Sequence, residues 1–129
     1  NLVYGSYLPH GTPSVRQWST EGLILDPESM SWFGDRYTGG RNIPMDDPYF
    51  SPLYGVLDDM PPGLFTVGTW DPLLDDTLFM AMRWLAAGHD TELAIYPGGT
   101  HAFDAFPTHI ALEARTRMHN FIRSVVRST

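Results

Sequence analysis

The sequence predicts an α/β chain of about three parallel strands with flanking helices. Three observations carry that reading. Leu64–Thr69 (LFTVGT) is an apolar run of strand length closed by Asp71-Pro72. Glu92–Tyr96 (ELAIY) is a second such run, closed by Pro97-Gly98-Gly99. Between them lies a stretch of helical period that stops at Gly88, a common residue just past a helix end. A strand, a helix of that length and another strand make the crossover of a parallel sheet.

Taken in order, Asn1–Pro9 reads as a buried strand closed by proline. From His10 to Leu25 the chain has turn residues and no sustained period, which predicts a loop with one helical turn. Asp26-Pro27-Glu28 is a helix start: an acid at the cap, proline in the first position and an acid in the first turn. That helix carries Met30, Trp32, Phe33 and Tyr37 and stops near Gly39-Gly40. Arg41–Gly63 holds Pro44, Pro48, Pro52, Pro61 and Pro62, which forbids a long regular element and predicts a long loop. After the strand Leu64–Thr69, Asp75 or Asp76 caps a helix running to Ala87. Its Leu78, Phe79, Met82 and Leu85 recur at helical spacing and predict the face that packs on the sheet. Gly98-Gly99 predicts a turn after the next strand. A last helix spans Thr108–Val126, with Met118, Phe121, Ile122, Val125 and Val126 on one stripe. The 129 residues suffice for one domain with a modest core.

Composition narrows the function. The 43% apolar content is that of a folding chain, and a net charge of −7 argues against a nucleic-acid partner. The absence of cysteine excludes disulfides, thiolate chemistry and cysteine-held metals. No His-Glu-x-x-His or similar ligand spacing occurs, so no metal site is expected, and no cofactor either. No apolar run approaches the roughly 20 residues of a membrane helix. The expected location is cytoplasmic, with a targeting signal ahead of Asn1 left open.

The parallel arrangement puts Asp71 and His101 just past the C-terminal ends of their strands, where open α/β sheets bind ligands. A carboxylate and a histidine so placed can form the orienting half of a triad, the acid fixing the imidazole tautomer. The third member is a nucleophile, and none stands out. Of Ser6, Ser14, Ser19, Ser29, Ser31, Ser51, Ser124 and Ser128, none lies in a G-x-S-x-G elbow. The bland readings remain beside this one. Asp-Pro is a common turn pair, and from spacing alone that role weighs equally for Asp71. A lone histidine is usually a solvated loop residue. His10, His89, His109 and His119 read as surface or packing residues. Trp32, Phe33, Tyr37, Trp70 and Phe103 suit an acyl pocket, but ordinary core is the safer reading.

PPGLFTVGTWDPLLDD followed by RWLAAGHDTELAIYPGGTHAF resembles the C-terminal half of the hormone-sensitive-lipase-like esterases of the α/β-hydrolase superfamily. SMSWFGDRY and Ser51–Leu53 fit the same family, and the likeness is strongest from Asp47 to Phe106. The resemblance implies the C-terminal portion of an α/β-hydrolase fold, as a single partial domain over 1–129. Residues 1–63 would hold a strand, loop, helix and Pro-rich loop, and 64–129 the acid- and histidine-bearing strands and helices. It implies Asp71 as triad acid and His101 as triad base, 30 residues apart, with the nucleophile in none of these 129 residues. The parent activity would be carboxylic-ester hydrolysis on a small acyl ester, and this chain alone would be inactive. The substrate-binding residues stay unknown. Family members also dimerise through the last strand and helix, so a homodimer and pairing with a missing N-terminal polypeptide are both open. The alternative is a catalytically inactive remnant serving as a binding or self-association module. One departure stands out: the family's H-G-F is His101-Ala102-Phe103 here, and alanine lacks glycine's φ freedom.

Overall fold

The computed structural model describes residues 1–8, 11–19 and 24–128. The expectations for Pro9, for His10 and for the stretch 20–23 lie outside the described residues. The elements are β1 (Leu2–Val3), α1 (Pro13–Gln17), α2 (Pro27–Thr38), β2 (Gly63–Trp70), α3 (Leu74–Ala86), β3 (Thr91–Thr100) and α4 (His109–Ser128). The strands form one parallel sheet in the order β1-β2-β3. The central strand β2 is buried from Gly63 to Gly68, as its unbroken apolar run requires for a strand covered on both faces.

Successive β2 side chains point to opposite faces. Phe65 joins Tyr7, Met80, Ala81 and Trp84 under α3, while Leu64 joins Ala94, Phe103, Ala114 and Met118 under α4. Leu64, Phe65 and Val67 have no exposed surface, and each contributes roughly 1.5–3 kcal/mol by leaving water.

The first strand is shorter than expected. Leu2 and Val3 pair with Phe65 and Thr66, and the Tyr4 N–H still donates to the Thr66 carbonyl at 2.8 Å. There the chain turns off the sheet, with Tyr4 at φ +35°. Its next donors go to α3: the Tyr7 and Leu8 N–H groups donate to Asp76 Oδ1 at 2.7 and 2.8 Å. A buried carboxylate thus competes with the sheet for this backbone and wins.

This also corrects the expected caps. The local cap of α3 is Leu73, with no side-chain bond. Ser14 of α1 takes that role from 61 residues away: its Oγ accepts the Asp75 N–H, and Asp75 Oδ2 accepts the Ser14 N–H at 2.7 Å. Asp76, wholly buried, is spent on the N-terminal segment and on Thr12 Oγ1.

The sheet-facing side of α3 is likewise not the expected one. Thr77, Met80, Ala81 and Trp84 are buried, whereas Phe79, Met82 and Leu85 are 41%, 49% and 54% exposed. Two polar residues, Asp76 and Thr77, lie in the buried stripe and disguise it. In α4 the inner face is Ala111, Ala114 and Met118, and the expected Ile122 and Val126 are exposed, beyond the core cluster of the sheet.

Helix α2 begins and ends as expected, with Asp26 Oδ1 accepting the Ser29 N–H at 2.7 Å and Gly39 left-handed at φ +60°. It buries no residue. The Pro-rich loop after it contains a 3-10 turn at Pro52–Tyr54 and is held mainly by its carbonyls, since proline has no N–H to give. Arg83 donates to the Leu53 and Gly55 carbonyls, Trp84 Nε1 to the Pro61 carbonyl at 3.0 Å, and His89 Nε2 meets the Leu57 carbonyl. Among the described residues no helix is long and apolar enough to cross a membrane.

Candidate active site

Two strand ends build the site. Asp71 directly follows β2 and is 1% exposed. Its Oδ1 accepts the Leu73 N–H at 2.9 Å and its carbonyl accepts the Leu74 N–H at 3.1 Å, so the turn into α3 locks the carboxylate. His101 directly follows β3.

An irregularity in the ladder brings the two together. Gly68 pairs with Tyr96, but Trp70 pairs with Thr100, so two steps on β2 match four on β3. The extra residues take up Pro97-Gly98-Gly99, which the sequence predicts as a turn and which instead continues the strand as a bulge. Gly98 is left-handed at φ +73°, and a methyl group on Gly68 would drive into the Gly99 carbonyl. Bulges of this kind re-aim a side chain beside a site.

The result is a contact between His101 Nδ1 and both Asp71 oxygens, at 3.3 Å to Oδ1 and 3.1 Å to Oδ2. A carboxylate only accepts, so Nδ1 carries the proton and Nε2 keeps a free lone pair. The histidine side chain is 21% exposed and the aspartate side chain 0%. One edge of the imidazole therefore faces outward while its anchor is dry.

His101 opens on a cavity of about 770 Å³ whose other walls include Leu25, Met30, Phe33, Tyr37 and Leu73. The α2 wall is tied to the Pro-rich loop: Tyr37 Oη donates to the Tyr49 carbonyl at 2.8 Å, and its ring stacks on Phe50 at 5.9 Å. The expectation that the aromatics form ordinary core holds for Phe103, 3% exposed, and fails for the others. Trp32, Phe33, Tyr37 and Trp70 are 53–63% exposed. Of these, Phe33 and Tyr37 line the cavity, because α2 packs over an opening rather than onto the sheet.

Ser6 also lines the cavity, yet among the described residues no hydroxyl is hydrogen-bonded to the His101 imidazole; the Thr100 hydroxyl donates to the His101 carbonyl instead, at 3.3 Å. His89 and His109 have other partners: His89 packs on Trp84, and His109 pairs with Glu113 at 3.3 Å. Among the described residues no group of three or more His, Cys, Asp or Glu is placed to hold a metal ion.

Sequence reasoning missed Tyr4. Its ring lies edge-on to the imidazole, with centroids 4.5 Å apart, and its hydroxyl donates to Asp104 Oδ1 at 2.7 Å. Burial first, then the Asp104 hydrogen bond and charge, and then the Asp71 charge push the Tyr4 phenol well above its ordinary range, so it stays a neutral donor. Tyr4 and Asp104 are 100 residues apart, and no local pattern links them.

Comparison with known proteins agrees with this fold. A family model described as alpha/beta hydrolase fold matches residues 2–105. An ethyl acetate hydrolase of Pseudomonas putida is 36% identical over 94 residues, covering 70% of this chain and 28% of that protein. An esterase structure from Pyrobaculum calidifontis superposes with a TM-score of 0.85 at 28% identity, covering 96% of this chain and 42% of that one. The HSL-homolog EstE7, from a metagenome library, gives a TM-score of 0.73 at 28% identity, over 80% of this chain and 36% of that one. The chain thus spans about a quarter of the length of the curated relatives it matches, 28% and 26%.

Proposed function

The chain belongs to the α/β-hydrolase fold family, and from that premise we propose that it supplies the acid and base of a serine esterase. His101 Nε2 takes the proton from a serine hydroxyl as that oxygen attacks the ester carbonyl. Asp71 steadies the imidazolium that forms. His101 then returns the proton to the leaving alcohol, and a water repeats the sequence to release the acid. The observation that carries this reading is the Asp71–His101 contact at 3.1 Å on the wall of an apolar cavity.

The attacking serine lies outside residues 1–129 in this proposal, since none of the serines here sits in a G-x-S-x-G elbow. Residues 1–129 act as one partial domain, with 1–63 forming much of the cavity wall and 64–129 carrying Asp71 and His101. The substrate class is a small acyl ester, which suits a cavity of about 770 Å³ with aromatic and aliphatic walls. The test is hydrolysis of p-nitrophenyl acetate. The 129-residue chain by itself should not turn it over. A purified chain that did so, and lost the activity on His101→Ala, would sink the proposal of an external serine.

A second reading, a binding or self-association module, is favoured by the outer face of α3. Phe79, Met82 and Leu85 form an apolar stripe there with 41–54% exposure. Sedimentation of the purified chain separates the readings, because a strict monomer without a partner counts against this one.

A further inference from the structure

We propose that Tyr4 is a positioning residue of the site: with Asp104 it forms a strut that fixes the ring plane of His101. The proposal rests on the acid–base reading of His101 above. The Asp71 contact restrains the imidazole at a single atom, Nδ1. Apart from its Cβ–Cγ bond, a ring held at that one atom can still rock about the line from Cγ to Nδ1, and Nε2, off that line, moves with it. Nε2 is the atom that must meet a hydroxyl within about 2.6–3.2 Å.

Tyr4 supplies the missing restraint. Its ring meets the imidazole at an interplanar angle of 61° with centroids 4.5 Å apart, closing one side of the arc. The phenol end is itself anchored, donating to Asp104 Oδ1 at 2.7 Å. Asp104 sits in the 3-10 turn Phe103–Ala105, just after His101, and its carbonyl is held by Arg115 of α4. The strut therefore runs from β1 to the histidine's own turn and is braced by a helix.

The backbone is an independent observation. Tyr4 has φ +35°, in a region that aromatic residues rarely enter. Such conformations persist where the surroundings over-determine them, and they gather at functional sites. Here the strain falls on the residue whose ring touches His101, while its N–H stays bonded to Thr66 at 2.8 Å.

Imidazole nitrogen NMR on the 129-residue chain tests this without any nucleophile. The parent should show the His101 tautomer with the proton on Nδ1, exchanging slowly with water. Tyr4→Phe keeps the ring and removes the anchor, and should speed Nδ1–H exchange about tenfold, the order set by losing one buried hydrogen bond. Asp104→Ala should do the same from the other end without touching the strained residue, so it decides the matter should Tyr4→Phe not fold. Asp104→Asn, whose amide oxygen still accepts, should restore the parent behaviour. Exchange in folded Asp104→Ala that matches the parent, or loss in Asp104→Asn equal to that in Asp104→Ala, overturns the strut. Asp71→Asn keeps the two readings apart. A parent-like Nδ1 proton in that variant defeats the acid–base reading. A shifted proton there beside parent-like Tyr4 and Asp104 variants defeats the strut alone.

Discussion

His101 Nδ1 rests 3.1 Å from Asp71 Oδ2, and each residue is the first after its strand. Neighbouring parallel strands would place these ends side by side in any case. The bulge between Gly68 and Trp70 does the finer work, adding the residues that let His101 turn back over Asp71.

Replacing Asp71 by asparagine should leave the fold and remove the proposed function. With its oxygen kept by the Leu73 N–H, the amide would donate rather than accept at Nδ1, forcing the proton to Nε2, the atom the proposed base must keep free. In an esterase containing this chain and its nucleophile, kcat for ester hydrolysis should fall by about 10⁴-fold with KM little changed. Steady-state kinetics check this, and a loss under tenfold would leave Asp71 as a turn residue.

Ala102 is left-handed at φ +56°, ψ +24°, where an L side chain crowds its own backbone. Ala102→Gly should therefore stabilise the chain by about 1 kcal/mol, less the entropy glycine adds to the unfolded state. The urea midpoint measures it. A lower midpoint than the parent's would show that the Ala102 methyl group makes contacts worth more than the strain.

The strands and helices were legible where their signals are local. β2 is buried on both faces and reads as an unbroken apolar run, and α2 announces itself through Asp26-Pro27 and Gly39. The neighbourhood of Asp71 and His101 was legible too, because strand ends in a crossover unit must meet. What escaped was set by partners far along the chain. β1 stops at Val3 because Asp76, 69 residues from Tyr7, takes the backbone donors that a longer strand would use. The buried face of α3 was hidden because two of its members are polar: Asp76, which serves that same contact, and Thr77, buried beside it. Tyr4 looked like any strand aromatic, and its partner Asp104 like any turn acid.

Among the described residues Asp76 accepts three hydrogen bonds, from the Tyr7 and Leu8 N–H groups and from Thr12 Oγ1. Asp76→Ala strands those donors at about 1 kcal/mol or more each, so a loss of roughly 3 kcal/mol is expected, with amide protection lost first at Tyr7 and Leu8. Burial raises the Asp76 carboxyl above its usual 3.8, outweighing the hydrogen bonds that pull it down. A raised acid binds its proton more readily when folded. Its contribution to stability is therefore full below the unfolded value and is lost as pH rises through the folded one. Asp76→Asn does not titrate. The parent's urea midpoint relative to that variant's should fall as pH rises from just below 3.8. A difference that stays flat or grows would mean that the hydrogen bonds, not burial, dominate.

Met80 and Met82 offer the sharpest test of how α3 sits. They are the same residue type two positions apart, yet Met80 is 3% exposed beside Phe65 and Trp84, and Met82 is 49% exposed. Two positions on a helix turn a side chain through about 200°, so both cannot face the sheet. Met80→Ala should open a cavity and cost about 2–4 kcal/mol. Met82→Ala, on the solvent side, should stay within about 0.5 kcal/mol of the parent. Urea midpoints of the two variants at matched pH decide it. Equal losses, or the larger loss at Met82, would return the helix to the face formed by Leu78, Phe79, Met82 and Leu85. The first turn would rotate with it, taking Asp76 out of the core and away from Tyr7 and Thr12.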